Sequence, residues 1–314
     1  MRVVSDKYIA GFLDADGSVE LTTDKKHLRL GFYQKKSNDG VIYLINKVLD
    51  VGTISELKGK TRGTETFSTR LIVTGQKAID TLCRLKPYLV TKRVKSNKLL
   101  SEIGFTERVG TDSIPVHPSR SWLAGYFDGD GCVYAQLNPR GRSASVKVSI
   151  DSNTDEKDGL ELVKKAFGGV IETRGHGKQI RWTLGVDAPK AEKFLSYIAP
   201  RLLNKREQAY FVLACSKMGH FRDGETITNT LKELKTHPHR LNDLGSEVDI
   251  SRYVDKVKDL NRNDGKPYNY SFIERCRECG SPDVYALFLC NKCYQRNQYH
   301  TRVKRQSKQI FISL

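Results

Sequence analysis

The chain contains one ten-residue pattern twice, and this duplication restricts the folds that it can adopt. Residues 8–17 read YIAGFLDADG and residues 122–131 read WLAGYFDGDG. Two further segments recur in the same order and at nearly the same spacing. Because a repeated sequence folds into repeated structural units, we expect two copies of one domain. The further matches pair VGTI at 51–54 with GGVI at 168–171, and PYLVTK at 87–92 with PRLLNK at 200–205.

The repeats and the sequence outside them divide the chain into five predicted segments. Each repeat has the length of an ordinary small domain. A polar segment with two prolines separates the repeats, and a C-terminal extension lies outside the duplication. The predicted segments are domain 1 at 1–107, a linker at 108–118, domain 2 at 119–222, a partly helical connector at 223–275 and a small zinc module at 276–314.

Each repeat combines helical and strand-like patterns. The shared motif has the pattern of an apolar helix, and the segment after it alternates apolar and polar residues, as at Leu28 and Leu30 or at Val148 and Ile150. Alternation with period two predicts strands with one buried face and one polar to basic face. Further patterns extend each repeat to an α+β order, αββαββα, and each half closes with a last helix.

The net charge restricts the function. The sequence has 53 Lys and Arg against 36 Asp and Glu, a formal net charge of +17. This excess favours a polyanionic partner, either a nucleic acid or an anionic membrane surface. No apolar stretch approaches the ~18 residues of a membrane span, and acids interrupt the N-terminus before a signal peptide can form. The seven cysteines, an odd number, suit a reducing intracellular compartment.

The repeated motif predicts a metal site. A glycine inside a helix costs about 1 kcal/mol relative to Ala, so the interior glycines indicate that the two helix backbones pack closely. Such packing brings Asp16 and Asp130 together, and a shared Mg²⁺ ion would relieve the repulsion between their carboxylates. A glycine just past each helix end is expected at a positive φ. The glycines are Gly11 and Gly125 inside the helices, and Gly17 and Gly131 after them.

In these two motif copies, the chain resembles the LAGLIDADG homing endonucleases in their single-chain, pseudo-symmetric form, over residues 1 to about 222. The resemblance implies that Asp16 and Asp130 coordinate the catalytic metals, whereas Asp14 and Asp128 are expected to bind backbone N–H groups. The family also places a polar residue on a strand and a basic residue late in each repeat, around the metals. The matching residues are Gln34 and Asp151 at the polar positions, with an acid at 151 where a neutral amide is commoner, and Lys92 and Lys205 at the basic positions.

The resemblance implies a site-specific double-stranded DNA endonuclease. Two or three Mg²⁺ ions, replaceable by Mn²⁺ or Ca²⁺, serve hydrolysis of both strands, which gives a double-strand break with short 3′ overhangs. The two domains, expected as a monomer, form a DNA-binding saddle whose sheets lie in the major groove of a long asymmetric target. The candidate base-reading residues on the polar strand faces are Arg29, Tyr33, Lys35, Ser68, Arg70, Lys147, Ser149, Gln179, Arg181 and Thr183.

Four cysteines near the C-terminus predict a second metal site. Cys276, Cys279, Cys290 and Cys293 form two CxxC pairs, the pattern of a tetrahedral structural Zn²⁺ site. The tail after them is basic, which favours further DNA contact; packing of the module on the core is the alternative.

Three other functions remain open. A maturase would use the same fold and basic surface to bind its own intron RNA, with or without cutting DNA. A DNA-binding regulator would have lost catalysis, although both metal acids are present. An intein-embedded nuclease would need splicing segments at both ends, so we expect a free-standing protein. Its expected location is the cytoplasm or nucleoid of a microbial or phage-infected cell, or an organelle that encodes it.

Overall fold

The computed structural model describes both repeats. The described residues are 4–24, 26–61, 64–105, 117–137, 144–174, 177–184 and 188–218. The predicted connector at 223–275 and the predicted zinc module at 276–314, with its four cysteines, lie outside these residues. None of the described helices is long and apolar enough to cross a lipid bilayer.

The two repeats have the same order of elements. In the first, the elements are α1 Asp6–Asp16, β1 Gly17–Leu21, β2 Leu28–Lys35, α2 Gly40–Leu49, β3 Thr53–Thr61, β4 Thr64–Thr74, α3 Gln76–Leu85 and α4 Arg93–Glu102. In the second, they are α5 Arg120–Asp130, β5 Gly131–Leu137, β6 Ala144–Asn153, α6 Asp158–Phe167, β7 Val170–Arg174, β8 Gln179–Leu184, α7 Ala188–Ile198 and α8 Arg206–Met218. This confirms the α+β class and the αββαββα order followed by a last helix.

Each repeat contains one antiparallel four-stranded sheet. The strand orders are β1-β2-β4-β3 and β5-β6-β8-β7, so the two sheets are topologically identical. One face of each sheet is apolar: Phe32 pairs with Leu71, Ile150 pairs with Trp182, and these side chains are fully buried. Burial of each such side chain stabilises the folded state by about 1.5–3 kcal/mol. This stabilisation determines which face of each strand points to the core.

The candidate base-reading residues alternate with these buried residues along the strands. They therefore lie on the opposite face of each sheet, which we call the outer face. Most of them are at least partly exposed, and Ser149 is buried. The outer-face residues are Arg29, Tyr33, Lys35, Ser68 and Arg70 in the first repeat, and Lys147, Ser149, Gln179, Arg181 and Thr183 in the second.

The two motif helices, α1 and α5, pack with their backbones in contact. A methyl group at Gly11 would lie 2.0 Å from the carbonyl oxygen of Trp122. A methyl group at Gly125 would lie 2.0 Å from the carbonyl oxygen of Tyr8. Both distances are far below van der Waals contact, so only glycine permits this approach. The predicted close packing of the motif helices is confirmed.

The glycines after the two helices differ from the expectation. Gly17 has φ −106° and Gly131 has φ −74°, so both are extended and the expected positive φ is wrong. Steric space explains the glycines instead. A side-chain carbon would lie 2.6 Å from the Leu13 carbonyl oxygen at Gly17, and 2.4 Å from that of Phe127 at Gly131. Each strand leaves its helix pressed against the last helical turn.

We expect Gly11→Ala and Gly125→Ala to lower the free energy of unfolding by about 1–3 kcal/mol or more, because each added methyl group forces the helices apart. Urea unfolding of the purified variants measures this. Gly59→Ala is the control, because this exposed strand glycine faces only the movable Thr66 hydroxyl, 3.2 Å away. Equal losses in all three variants would contradict the close helix packing.

Candidate active site at the ends of the motif helices

The last residue of each motif helix is an aspartate, and the two aspartates meet at the open end of the helix interface. Asp16 ends α1 and Asp130 ends α5, and both are partly exposed. A side-chain carbon at Gly129 would lie 3.4 Å from Cβ of Asp16, so the residue before Asp130 touches Asp16. The structure thus brings together the two predicted metal acids.

The electrostatics of this pair are unfavourable without a cation. Burial and then the like charge of Asp16 raise the pKa of Asp130 to about 7, against the opposing charges of Lys92 and Lys205. Burial also raises the pKa of Asp16, and the same two lysines oppose it. The two carboxylates repel each other when both are ionised, and each also lies at the negative end of a helix dipole. Hard oxygen ligands of this kind are the ligands that Mg²⁺ prefers.

The earlier acid of the first motif is a structural residue, as expected. The Asp14 carboxylate accepts hydrogen bonds from the backbone N–H groups of Val90 and Lys92, both at 2.8 Å. The indole N–H of Trp122, in the second repeat, donates to the same carboxylate at 2.9 Å. These donors hold the segment that carries Lys92 against α1.

The second repeat has the same arrangement around Asp128. Its carboxylate accepts from the backbone N–H groups of Leu203 at 2.6 Å and Lys205 at 2.9 Å. The hydroxyl of Tyr8, in the first repeat, donates to it at 2.7 Å. Asp128 therefore fixes Lys205 against α5.

Both predicted basic residues lie at the helix ends. Lys92 is buried, and its Nζ donates to the carbonyl oxygen of Asp14 at 2.6 Å. Lys205 donates to the carbonyl oxygens of residues 127–129, at 3.0 Å to that of Gly129. Burial lowers the pKa of Lys205, and the neighbouring carboxylates oppose this change. The ammonium groups donate to carbonyl oxygens of the last helical turn, where the helix dipole favours a positive charge.

Lys92 also contacts the other repeat. Its Nζ lies 3.4 Å from Oε1 of Glu156, which ends the short 3₁₀ turn Thr154–Glu156 after β6. In the first repeat the equivalent turn, Lys36–Asn38, ends in a neutral amide. The two repeats therefore differ in the charge that they place at this position.

The strand registers separate the two predicted polar residues. Gln34 lies beside the metal acids, and its Nε2 donates to Oδ2 of Asp16 at 3.4 Å. Phe32 and Ile150 both pair with the glycine that opens the first strand of their repeat. The residue equivalent to Gln34 is therefore Ser152, and the sequence match of Asp151 to Gln34 is wrong by one residue. The hairpin of the first two strands is longer in the second repeat, because β5 and β6 each extend two residues further toward the loop than β1 and β2, and this shifts the alignment.

A shift of one residue moves a strand side chain to the other face of the sheet. Asp151 accordingly lies on the outer face, where it forms a bidentate ion pair with Arg181, its cross-strand neighbour. The Nη2–Oδ2 distance is 2.7 Å. Asp151 still contributes to raising the pKa of Asp130. Its direct partner is nevertheless a candidate base-reading residue.

Other outer-face arginines are also held by neighbouring strands. Nε of Arg70 donates to Oγ of Ser55 at 2.9 Å, and Arg29 lies 3.5 Å from the carboxylate of Glu20. Such contacts reduce the side-chain entropy that these residues lose when they bind a partner. The outer face is thus a surface of oriented donors.

Sequence reasoning does not identify three contributors to this site. Tyr8 and Trp122 could be found from the aromatic residue that opens both motif copies. No repeated pattern marks Glu156, because its equivalent residue in the first repeat is Asn38.

Comparison with known proteins finds one matching family model and solved structures of similar fold. Residues 9–108 match the family model described as LAGLIDADG endonuclease. No curated protein sequence matches the chain at a significant level. Among solved structures, the LAGLIDADG homing endonuclease I-GzeII in complex with its DNA target is similar in fold, with 14% identity and a TM-score of 0.53. This match covers 74% of the present chain and 97% of the other.

Two further solved structures have the same fold. The LAGLIDADG meganuclease I-AabMI, bound to uncleaved DNA, is 15% identical, with a TM-score of 0.53 and coverage of 74% and 98% of the two chains. I-SmaMI, bound to an uncleaved DNA target in the presence of calcium ions, is 16% identical, with a TM-score of 0.50 and coverage of 74% and 97%. At these identities the likeness concerns the fold. The match to the LAGLIDADG endonuclease family model covers residues 9–108, about the first repeat, and the likeness in fold to these structures extends over 74% of the chain.

We expect Asp16→Asn to lower the pKa of Asp130 from about 7 toward its ordinary value, because the substitution removes a like charge. In the wild type, Asp130 binds a proton below about pH 7, so we expect any affinity of this pair for a divalent cation to fall as the pH is lowered through 7. Carbon-13 NMR titration of the aspartate carboxyls measures the pKa, and Mg²⁺ titrations at several pH values measure the affinity. An unchanged midpoint for Asp130 in the variant would show that the two carboxylates do not interact.

Proposed function

We propose that the chain is a site-specific double-stranded DNA endonuclease that depends on a divalent metal ion. The observation that carries this proposal is the pair of aspartates, Asp16 and Asp130, which meet where the two motif helices end. The match of residues 9–108 to the LAGLIDADG endonuclease model supports it, as does the likeness in fold to I-GzeII and I-AabMI, which were solved with DNA. The calcium ions present with I-SmaMI support a divalent metal.

Each residue of the site has a defined role in this proposal. Asp16 and Asp130 hold the metal ions. When bound, Mg²⁺ supplies an acidified water and stabilises charge on the attacking and leaving oxygens. Lys92 and Lys205, held by the helix ends, stabilise the negative charge that develops on the phosphates. Gln34 orients the carboxylate of Asp16 through its hydrogen bond.

One chain carries both acids and both lysines, so a monomer is sufficient to cut both strands. Family resemblance supports a double-strand break with short 3′ overhangs. The outer faces of the two sheets bind the major groove and read the target. Equivalent outer-face positions hold different residues, such as Tyr33 in the first repeat and Asp151 in the second. This divergence supports a long target whose two halves differ in sequence.

The ion pair on the second outer face serves recognition in this proposal. The planar guanidinium of Arg181 is oriented by both oxygens of Asp151. A preoriented arginine is suited to read guanine in the major groove. We therefore assign Asp151 to base recognition through Arg181.

We expect the wild-type protein to cleave one target from a DNA library of candidate insertion sites in the presence of Mg²⁺. Asp16→Asn and Asp130→Asn should each lower the cleavage rate by at least about 10²-fold, because each removes a metal ligand. Asp80→Asn is the control, since Asp80 is an exposed carboxylate on α3. Retained DNA binding without cleavage by the wild type would contradict the nuclease function; binding of intron RNA instead would favour a maturase.

We expect Asp151→Asn to reduce discrimination at one base pair of the target, by about 1–3 kcal/mol, while the cleavage rate on the best target stays near that of the wild type. Cleavage of a library with single base-pair changes measures this, and Arg181→Ala should relax the same position. A large loss of rate on every target would instead support a catalytic role for Asp151.

We also propose that residues 276–314 bind one structural Zn²⁺ ion and add a basic DNA contact. The four cysteines in two CxxC pairs support this proposal.

We expect the full chain to contain about one equivalent of zinc by mass spectrometry of the metal. Cys276→Ser and Cys290→Ser should each lose it, because the loss of one thiolate opens the tetrahedral site. Cys83→Ser, a substitution in the first repeat, is the control. A metal-free wild-type protein purified under reducing conditions would exclude the zinc module.

A further inference from the structure

The first residue of each motif copy is aromatic, and each contacts the opposite repeat. Tyr8 in α1 donates its hydroxyl to Asp128 at 2.7 Å, and Trp122 in α5 donates its indole N–H to Asp14 at 2.9 Å. Tyr8 and Trp122 occupy equivalent positions, as do the two acceptors. The pseudo-symmetry of the chain has therefore produced the same crossed contact twice.

Each acceptor carboxylate is also bonded to the segment that presents a lysine. Asp14 accepts from the backbone N–H of Lys92 at 2.8 Å, and Asp128 accepts from that of Lys205 at 2.9 Å. The contacts form two chains of hydrogen bonds. One leads from Trp122 through Asp14 to Lys92, and the other leads from Tyr8 through Asp128 to Lys205.

We propose that Tyr8 and Trp122 are positioning residues that couple the lysine of each repeat to the docking of the other repeat. The proposal deepens the nuclease function and rests on it for its effect on cleavage. Undocking the motif helices would remove one donor from each acid, and each lysine would lose its fixed place. The lysines are then aligned only when both repeats are assembled around the target.

Burial gives these contacts their strength. Tyr8 is 3% exposed, Trp122 is 2% exposed, and Asp14 and Asp128 are buried as well. Water therefore cannot replace a lost donor without a local opening of the structure. Burial and the neighbouring Asp128 also raise the pKa of the Tyr8 phenol well above its ordinary value, so the hydroxyl keeps its proton and donates.

If Tyr8 and Trp122 served only to join the helices, their substitution would give a different pattern of loosening in the two repeats. Weakening of the interface would loosen both repeats alike, because α1 and α5 share one packing surface. Positioning through the acids predicts a crossed effect instead. A substitution in one repeat would loosen the lysine segment of the other repeat alone.

Hydrogen exchange of the free protein tests the crossed effect without cleavage. Tyr8→Phe, which removes only the hydroxyl, should raise the exchange rates of the Leu203 and Lys205 amides by about tenfold and leave those of Val90 and Lys92 unchanged. Trp122→Phe should raise the exchange rates of the Val90 and Lys92 amides and leave those of Leu203 and Lys205 unchanged. The control is Ile9→Val, which removes one buried methylene group from α1 and no side-chain hydrogen bond. Equal increases in both repeats, or an increase in the substituted repeat alone, would overturn the proposal.

Strand-specific cleavage of an end-labelled target then tests whether this coupling affects the cleavage of each DNA strand. Lys92→Met and Lys205→Met identify the strand that each lysine serves. Tyr8→Phe should slow the strand that depends on Lys205, and Trp122→Phe the strand that depends on Lys92, each by about tenfold. Equal slowing of both strands by either aromatic variant would overturn the positioning role. A wild type that binds DNA without cutting it would defeat the proposed function, whereas the exchange result would still decide the coupling.

Discussion

The direct contact between the backbones of α1 and α5 is the constraint on which the rest of the structure depends. Gly11 and Gly125 leave no space for a side chain between the helices, so the helix ends converge. Convergence brings Asp16 and Asp130 together and puts Tyr8 and Trp122 within reach of the acids of the opposite repeat. A single steric condition therefore sets the positions of the paired aspartates and of the two lysine segments.

The paired carboxylates of Asp16 and Asp130 oppose folding when both are ionised. The pKa of Asp130 is higher in the folded chain than in the unfolded one, so the folded state binds the proton more tightly. Folding stability therefore decreases as the pH rises from the ordinary value of an aspartate through 7, where the carboxylate ionises. In the proposed function, a bound divalent cation would offset this loss. Such a local loss of stability is common where charge is concentrated for function.

Much of this architecture could be predicted from the sequence, because it depends on patterns that occur twice. The duplicated motif, the alternating strands and the interior glycines led to the correct fold and to the packed helices. The equivalent of Gln34 could not be found in this way, since the longer hairpin of β5 and β6 moves the sequence match from Ser152 to Asp151, on the other face of the sheet. The extended conformation of Gly17 is also not evident from the motif, because a glycine just past a helix end commonly has a positive φ. Glu156 escapes prediction because it has no counterpart of the same charge.

The ion pair between Lys92 and Glu156 makes the two repeats non-equivalent. It joins the repeats at one turn, and the equivalent turn of the first repeat ends in the neutral Asn38. A chain assembled from two copies of the first repeat would place Asn38 where Glu156 now stands and would lack this ion pair. The repeats are therefore not interchangeable, although their strand orders are identical. A redesign that exchanges the second repeat for a copy of the first must restore an acid at this turn.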